Sequence, residues 1–348
     1  YGDRMSGVFD LRTRKGNEDK YEFIGQFGFN GFEAGAEGPV PGMDASFIAN
    51  YRYSFLDFLD MIGFDFGFAG IPRYQDGTFK LDYEPAEGHK ISVTGLFGIS
   101  DIDIKESEED DVYTGDSDIR NGTDFWSLGV NWQHIFSEKL YGNLLLGSTF
   151  GKYRTDIDSI TTTQDHEVTS LDKWLEMDSH EGFHTAKYDL HYSPDKHHYI
   201  TAGTEFRFKY YNFYEERFTT GWNTSTRYKL DKSGDAVQSM NYINWNWRID
   251  EDITLNAGIH SQYLGISDKG TVEPRLGFSW RFLPRHEFNL GFGVHRQSLP
   301  LLIYYTGNGN EDLDFMQSIH YVAGYNYILS ENAIIKIEGY YKDISKAP

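Results

Sequence analysis

Carboxylate side chains are concentrated in one stretch of the sequence, KESEEDDVYTGDSD (105–118). Oxygen-rich clusters of this kind can bind Ca²⁺, which prefers carboxylate and carbonyl ligands. Acidic runs are more often hydrated loops, and we favour that interpretation here. The sequence therefore leaves calcium binding open as the alternative for the carboxylates of this stretch, which are Glu106, Glu108, Glu109, Asp110, Asp111, Asp116 and Asp118.

Two further patterns resemble metal sites but fail on spacing or direction. The run DKSGD (231–235) begins like an EF-hand loop, yet Ala236 and Tyr242 stand where that motif requires Gly and Glu. His197 and His198 are adjacent, and adjacent residues at the end of a strand point to opposite faces, so we do not expect a shared ligand. The absence of cysteine excludes thiolate sites. We predict no metal site and no cofactor.

The polar residues with the most informative positions are better suited to binding than to catalysis. In HEFNLGFGVHRQ (286–297), His295 and Gln297 share the polar parity at the end of an alternating run, and Tyr304 and Tyr305 lie in the next loop. Tyrosine rings there could stack on a sugar or a chelate, although packing within the loop is the alternative that we favour. No arrangement of Ser, His and Asp indicates a triad, so we predict that the protein is not an enzyme.

The composition limits the class of protein. The 348 residues carry a net charge of -21, which argues against nucleic-acid binding because phosphates require an excess of Lys and Arg. Aromatic residues make up 17% of the chain, yet the mean hydropathy is only -0.56. This combination is unusual for a soluble core and typical of a membrane barrel with aromatic girdles and a polar interior. No apolar run reaches the roughly 18 residues of a transmembrane helix.

Strict alternation of apolar and polar residues recurs along the chain. It is clear in 124–135, 199–210, 243–249, 253–263 and 286–297. Period two over roughly ten residues is the length that a tilted strand needs to cross hydrocarbon. Four tryptophans share the apolar parity, so they discriminate between a lipid-facing girdle and a buried soluble core: Trp126, Trp132, Trp245 and Trp247.

The predicted connections alternate between short and long. Short polar turns lie at 38–43, 85–90, 137–139, 194–197, 250–252, 283–286 and 330–332, and longer polar connections lie near 105–123, 156–179, 213–235 and 298–315. Outer-membrane barrels have short turns at one end and long loops at the other. The sequence therefore predicts an all-β protein, a transmembrane antiparallel β-barrel with about 15 strands.

Several segments resemble the TonB-dependent outer-membrane receptors. The opening YGDRMSGVFDLRTRKG is similar to the end of their plug domain, and the match rests on Tyr1, Gly2, Ser6, Gly7 and Val8. The segments 51–60, 71–85, 273–305 and 334–348 are similar to their barrel. The resemblance implies that residues 1–16 are the end of the plug and its link, and that residues 17–348 are a partial barrel.

The family's barrels have 22 strands, so the resemblance implies that these strands are about 15 of 22 and that the barrel is incomplete at both ends. The first and last predicted strands both run outward, and joining them would require a parallel ladder. Unpaired strand edges in lipid would be costly, at several kcal/mol per group. We therefore expect the chain to be a fragment.

The resemblance also implies a function. Such a receptor binds a scarce solute at the surface of a Gram-negative bacterium and imports it across the outer membrane when an inner-membrane TonB energy transducer acts on the plug. The implied partners are outer-membrane lipid, the transducer, a solute such as an iron chelate, cobalamin, oligosaccharide or peptide, and, as in receptors for glycans and peptides, a surface lipoprotein. The alternatives are a passive outer-membrane porin and a soluble β-rich carbohydrate-binding protein.

Overall fold

The protein consists almost entirely of β-strands. The computed structural model describes residues 2–28, 31–54, 56, 70, 72–105, 107, 117–163, 168–221, 224–307 and 309–347. The strands are β1 (Glu22–Gly28), β2 (Gly31–Pro39), β3 (Ala45–Tyr53), β4 (Arg73–Ala86), β5 (His89–Ile104), β6 (Ser117–Ser137), β7 (Leu140–Thr162), β8 (Val168–Tyr192), β9 (His198–Gly221), β10 (Thr224–Arg248), β11 (Ile253–Leu264), β12 (Lys269–Leu283), β13 (His286–Gln297), β14 (Met316–Ser330) and β15 (Ala333–Ser345). Short 3-10 helices cover Leu301–Tyr305 and Asn310–Asp312.

All fifteen strands form one sheet, in which each strand pairs with its neighbours in sequence. Every pairing is antiparallel. No described residue pairs β1 with β15, so these two strands are the edges of the sheet. The predicted all-β antiparallel architecture and the number of strands are confirmed.

The short turns lie where the sequence predicts them. All seven join consecutive strands, from the β2–β3 turn after Pro39 to the β14–β15 turn after Ser330. Three of them need left-handed backbone, at Gly42 (φ 78°), Gly88 (φ 79°) and Arg285 (φ 71°). Glycine adopts this conformation without the Cβ penalty that Arg285 incurs. We call the end of the sheet with these turns the inner end, and the opposite end the outer end.

Two of the predicted long connections, 156–179 and 213–235, are wrong because strands continue through most of them, and the predicted connection 105–123 is shorter than expected. β7 continues to Thr162, and β8 begins at Val168. β9 and β10 are separated only by residues 222–223. β6 begins at Ser117, inside the predicted 105–123 connection. Diagonal ion pairs join these polar extensions, including Arg120–Asp158 (2.7 Å) and Lys152–Asp178 (3.0 Å). Polar and apolar residues are mixed on the faces of these extensions, so the strict alternation that marks a strand is absent.

The apolar parity of the strands faces outward. Leu276, Phe206 and Ile243 are each 52% exposed, and Trp126 and Trp132 are 40% and 39% exposed. A soluble β protein would bury this face, so its exposure contradicts the carbohydrate-binding alternative and fits a lipid-facing barrel surface. Among the described residues, no helix is long and apolar enough to span a membrane.

Candidate solute-binding site

The opposite parity of the strands forms a polar inner face. Glu273 of β12 is fully buried there. Its carboxylate accepts hydrogen bonds from Gln262 Nε2 (2.9 Å), Thr271 Oγ1 (3.1 Å) and Arg275 Nη2 (3.0 Å), and lies 3.2 Å from Nδ1 of His260. A buried carboxylate is tolerated only when its oxygens are satisfied in this way. The cluster is therefore a rigid part of the wall.

The residues before β1 run along this inner face. Asp3 is buried, and its carboxylate accepts hydrogen bonds from the Ser298 amide (2.6 Å) and the Ser298 hydroxyl (3.0 Å), at the outer end of β13. Gly2 lies against the ring of His260 so closely that a Cβ at this position would overlap the imidazole. The first described residues are thus fixed near the outer end.

The same segment reaches the inner end about ten residues later. Arg14 donates two hydrogen bonds of 2.5 Å to Glu37 of β2, beside the β2–β3 turn. Lys15 pairs with Glu84 of β4 at 3.1 Å. Eleven residues span at most about 36 Å when extended, which is enough to cross the barrel. The segment therefore traverses the interior from the outer end to the inner end.

Among the residues assigned by resemblance to the end of the plug, only some contact the wall. Gly2 packs on His260 and Val8 lines a cavity, whereas a Cβ added to Gly7 would meet nothing within 4 Å. Ser6 is exposed. Tyr1 lies outside the described residues. The division into plug end and barrel stays a prediction.

The predicted binding residues His295 and Gln297 lie on the inner parity of β13, near its outer end. The ring of His295 lies against that of His320, with centroids 4.4 Å apart. Gln297 lines a cavity together with Asp3 and Ser298. Both residues are therefore placed as the alternation predicts, although their contact with a solute stays a prediction.

Tyr304 and Tyr305 lie in the loop 298–315, which folds back over the inner face. Tyr304 is only 1% exposed and packs among Leu264, Leu299 and Phe315. Tyr305 packs on the ring of Tyr211, with centroids 4.9 Å apart, and the two hydroxyls are hydrogen bonded. Burial and the Tyr211 hydroxyl raise the pKa of Tyr305. Both tyrosines hold the loop in place, and a solute can reach Tyr304 only if the loop moves.

A cavity of about 330 Å³ lies beneath this loop. Three cationic side chains line it, Arg4, Arg207 and Lys209, and its carboxylates are Asp3 and Glu181. Arg207 also pairs with Glu205 at 2.6 Å, and Lys209 makes no ion pair with a described residue. Aromatic residues complete the lining: Phe125, Tyr153 and Phe183.

A second cavity of about 420 Å³ adjoins the first, because Arg4 and Arg207 border both. Its lining adds the cations Lys187 and Arg275, the carboxylate Glu205 and the imidazole of His260. Lys187 is paired with Asp189 at 2.9 Å, and Arg275 with Glu273. The interior at the outer end thus combines five Lys and Arg side chains with neighbouring carboxylates, in a chain whose net charge is -21.

The other patterns noted in the sequence do not contribute to this site. Most of the acidic stretch 105–118 lies outside the described residues, and no group of three or more described His, Asp or Glu residues could hold a metal ion. The amides of His197 and His198 donate hydrogen bonds to Asp195 (2.7 and 3.0 Å), which lowers the pKa of that carboxyl. These residues stabilise the β8–β9 turn.

Comparison with known proteins identifies the fold. No protein-family model matches the chain, and no curated protein matches its sequence. Among solved structures, the FpvAI–pyocin S2 complex matches with a TM-score of 0.70 and 11% identity over 94% of this chain and 50% of that chain. FpvA of P. aeruginosa with a bound ferric pyoverdine matches with a TM-score of 0.67 and 11% identity, over 92% and 47%.

The ferric-catecholate import receptor Fiu of E. coli K12 matches with a TM-score of 0.67 and 10% identity over 96% of this chain and 58% of that chain. The chain therefore spans about half the length of the solved structures that it matches. The solved structures with this fold are those of receptors and a transporter rather than enzymes. The described part of this chain has the β-barrel fold of the TonB-dependent outer-membrane receptors.

Proposed function

We propose that this chain is part of an energised outer-membrane receptor that binds an anionic iron chelate at its outer end and imports it. The observation that carries the proposal is the cavity beneath the 298–315 loop, whose lining holds three cationic side chains and two carboxylates. Arg4, Arg207 and Lys209 converge there inside a strongly acidic chain. Cationic groups held away from bulk water favour an anionic partner.

The chemistry of the lining favours a chelate over the other candidate solutes. An oligosaccharide is neutral and would add no counter-charge to the three cations of the lining, which outnumber the two carboxylates Asp3 and Glu181. The aromatic side chains Phe125, Tyr153 and Phe183 suit flat rings, which an anionic catecholate chelate provides. Several of the solved structures with this fold are named as receptors for ferric catecholates or siderophores, which supports the same choice.

The segment that crosses the interior supports gated rather than passive transport. A porin needs a continuous open lumen, whereas residues 2–17 contact the wall from Ser298 to Glu37. In the proposed receptor, a TonB transducer would act on the plug from the periplasm. The outward apolar face would contact outer-membrane lipid. A surface lipoprotein that caps the outer end would be a further partner.

Binding of a ferric tris-catecholate probe tests this function. We expect the purified protein to bind the probe and Lys209→Ala to weaken binding by about tenfold or more, because a desolvated charge contact is lost. Lys196→Ala is the matched control, since Lys196 is exposed in the β8–β9 turn. Preferential binding of cobalamin or a neutral oligosaccharide would contradict the assignment of an anionic chelate. Steady ion conductance in a planar bilayer would favour a porin.

A further inference from the structure

The N-terminal segment is attached to the barrel wall by two anchors of unequal strength. The inner anchor, residues 13–17, has five polar contacts with β2 and β4. The carboxylate of Glu37 accepts two hydrogen bonds from Arg14 and one from the Asn17 amide. Lys15 donates a hydrogen bond to Glu84, and Lys80 donates one to the Thr13 carbonyl. Gly16 also packs against the backbone of Phe47.

The outer anchor depends on one carboxylate. Asp3 accepts two hydrogen bonds, and both come from Ser298. Gly2 adds only van der Waals contact with His260. Between the anchors, the ring of Phe9 is 95% exposed. Since the number of contacts decides which end detaches first, the outer anchor opens more readily than the inner one.

Ser298 is the first residue of the 298–315 loop, so the outer anchor joins two elements that are far apart in sequence. The loop is held to the barrel by Tyr304 and Tyr305, and it covers the cationic cavity. Movement of the loop would therefore pull on Asp3. The reverse also holds, because a binding free energy that couples two elements is reciprocal.

Asp3 also faces the cations of the cavity. Its carboxylate lies 3.8 Å from Arg4 Nη1, and it lines the cavity with Arg207 and Lys209. Asp3 is thus one of two carboxylates, with Glu181, in a lining that also holds three cationic side chains. A negatively charged group that entered the cavity would compete with it for the same cations.

We propose that Asp3 is a releasable anchor that ties the N-terminal segment to the 298–315 loop, and that an anionic group entering the cavity displaces it. The second half rests on the proposed function, because it requires an anionic solute. The inner anchor stays closed and acts as the hinge. Solute at the outer end would then free the outer part of a segment whose other end lies beside the inner turns.

The anchor is tested first without any solute, by spin labelling in detergent. This chain has no cysteine, so Phe9→Cys on the segment and Glu311→Cys on the loop provide single labelling positions. We expect Asp3→Asn to raise the mobile fraction at both labels by about tenfold, because charge-assisted hydrogen bonds are lost. Ser298→Ala removes the hydroxyl that donates to Asp3, so it should also raise the mobile fraction at both labels. Ser6→Ala, at an exposed position of the same segment, is the matched control and should change neither label.

Unchanged mobility at both labels in Asp3→Asn and Ser298→Ala would overturn the anchor. A change at Phe9→Cys alone would overturn its link to the loop. Ferric tris-catecholate is then added to the labelled protein that retains Asp3, with binding followed by tryptophan fluorescence. We expect the probe to mobilise both labels. Binding without mobilisation would overturn displacement of Asp3, whereas absence of binding would refute the proposed solute and leave the result on the anchor unaffected.

Discussion

Gly7 and Gly16 lie on the same N-terminal segment but have different surroundings. A Cβ at Gly16 would overlap the carbonyl oxygen of Phe47, whereas a Cβ at Gly7 would meet nothing within 4 Å. We expect Gly16→Ala to weaken the inner anchor by about 1–3 kcal/mol, because the backbone of β3 cannot move aside as a side chain can. The measurement is the rate of tryptic cleavage after Arg14 and Lys15, which should rise by roughly tenfold or more.

Gly7→Ala is the matched control for this substitution and should change the cleavage rate little, since the added methyl group enters open space. Equal effects of the two substitutions would show that glycine flexibility, rather than contact with Phe47, governs the segment. The resemblance at the start of the chain identifies Gly2 and Gly7 without distinguishing them. Of these two glycines, only Gly2 has a steric reason in the structure, because the ring of His260 leaves no room for a side chain there.

At the scale of a strand, the depth of a residue in the bilayer determines how much free energy a charged side chain costs there. Leu276 lies in the middle of β12 and Leu283 at its inner end, and both are exposed on the outward face (52% and 54%). We expect Leu276→Arg to lower the free energy of unfolding in a bilayer by about 2–4 kcal/mol, because a midplane charge must leave water. Leu283→Arg should cost about 0–1 kcal/mol at the interface.

Reversible unfolding of the protein from lipid vesicles with guanidinium chloride measures this difference. Equal, small effects at both positions would mean that water rather than lipid covers the outward face of β12. Because both side chains are exposed, a soluble protein would tolerate arginine at either position. The comparison therefore tests the membrane environment independently of the fold.

The strands that cross hydrocarbon could be predicted from the sequence, and their extensions could not. In β13, Phe288, Leu290 and Phe292 alternate with polar residues because one side of the strand faces lipid and the other faces the interior. In the outer part of β7, Arg154 and Asp156 form ion pairs with neighbouring strands, and the opposite face mixes polar residues with Tyr153 and Ile157. Without an apolar face the period-two signal disappears, although the backbone ladder continues.

At the scale of the whole molecule, the candidate site depends on curvature of the sheet. Arg4, Arg207 and Ser298 are separated by about 90 to 300 positions and meet only because the strands surround the N-terminal segment. Alternation places His295 and Gln297 on the inner face, since this depends on one strand alone. It could not indicate that Lys209 of β9 shares a cavity with Asp3, because that contact crosses the interior between elements that are not neighbours in the sheet.

The net charge of the chain and the charge of the cavity have opposite signs, and ionic strength separates their effects. Screening acts over a Debye length of about 10 Å at 0.1 M salt, so it removes the long-range repulsion between an anionic solute and a chain of net charge -21. Contacts at 3–4 Å inside the cavity are screened much less. The long-range effect governs the rate of encounter, whereas the contacts inside the cavity govern dissociation.

We therefore expect the association rate constant of ferric tris-catecholate to rise several-fold between about 0.01 and 0.15 M salt, with a smaller change in the dissociation rate constant. Stopped-flow fluorescence measures both constants, and a neutral chelate of similar size is the control. A fall in the association rate constant with salt would mean that the outer end attracts anions over a long range. The cationic residues around Arg4 and Lys209 would then dominate the field that an approaching solute experiences, in spite of the acidic chain that surrounds them.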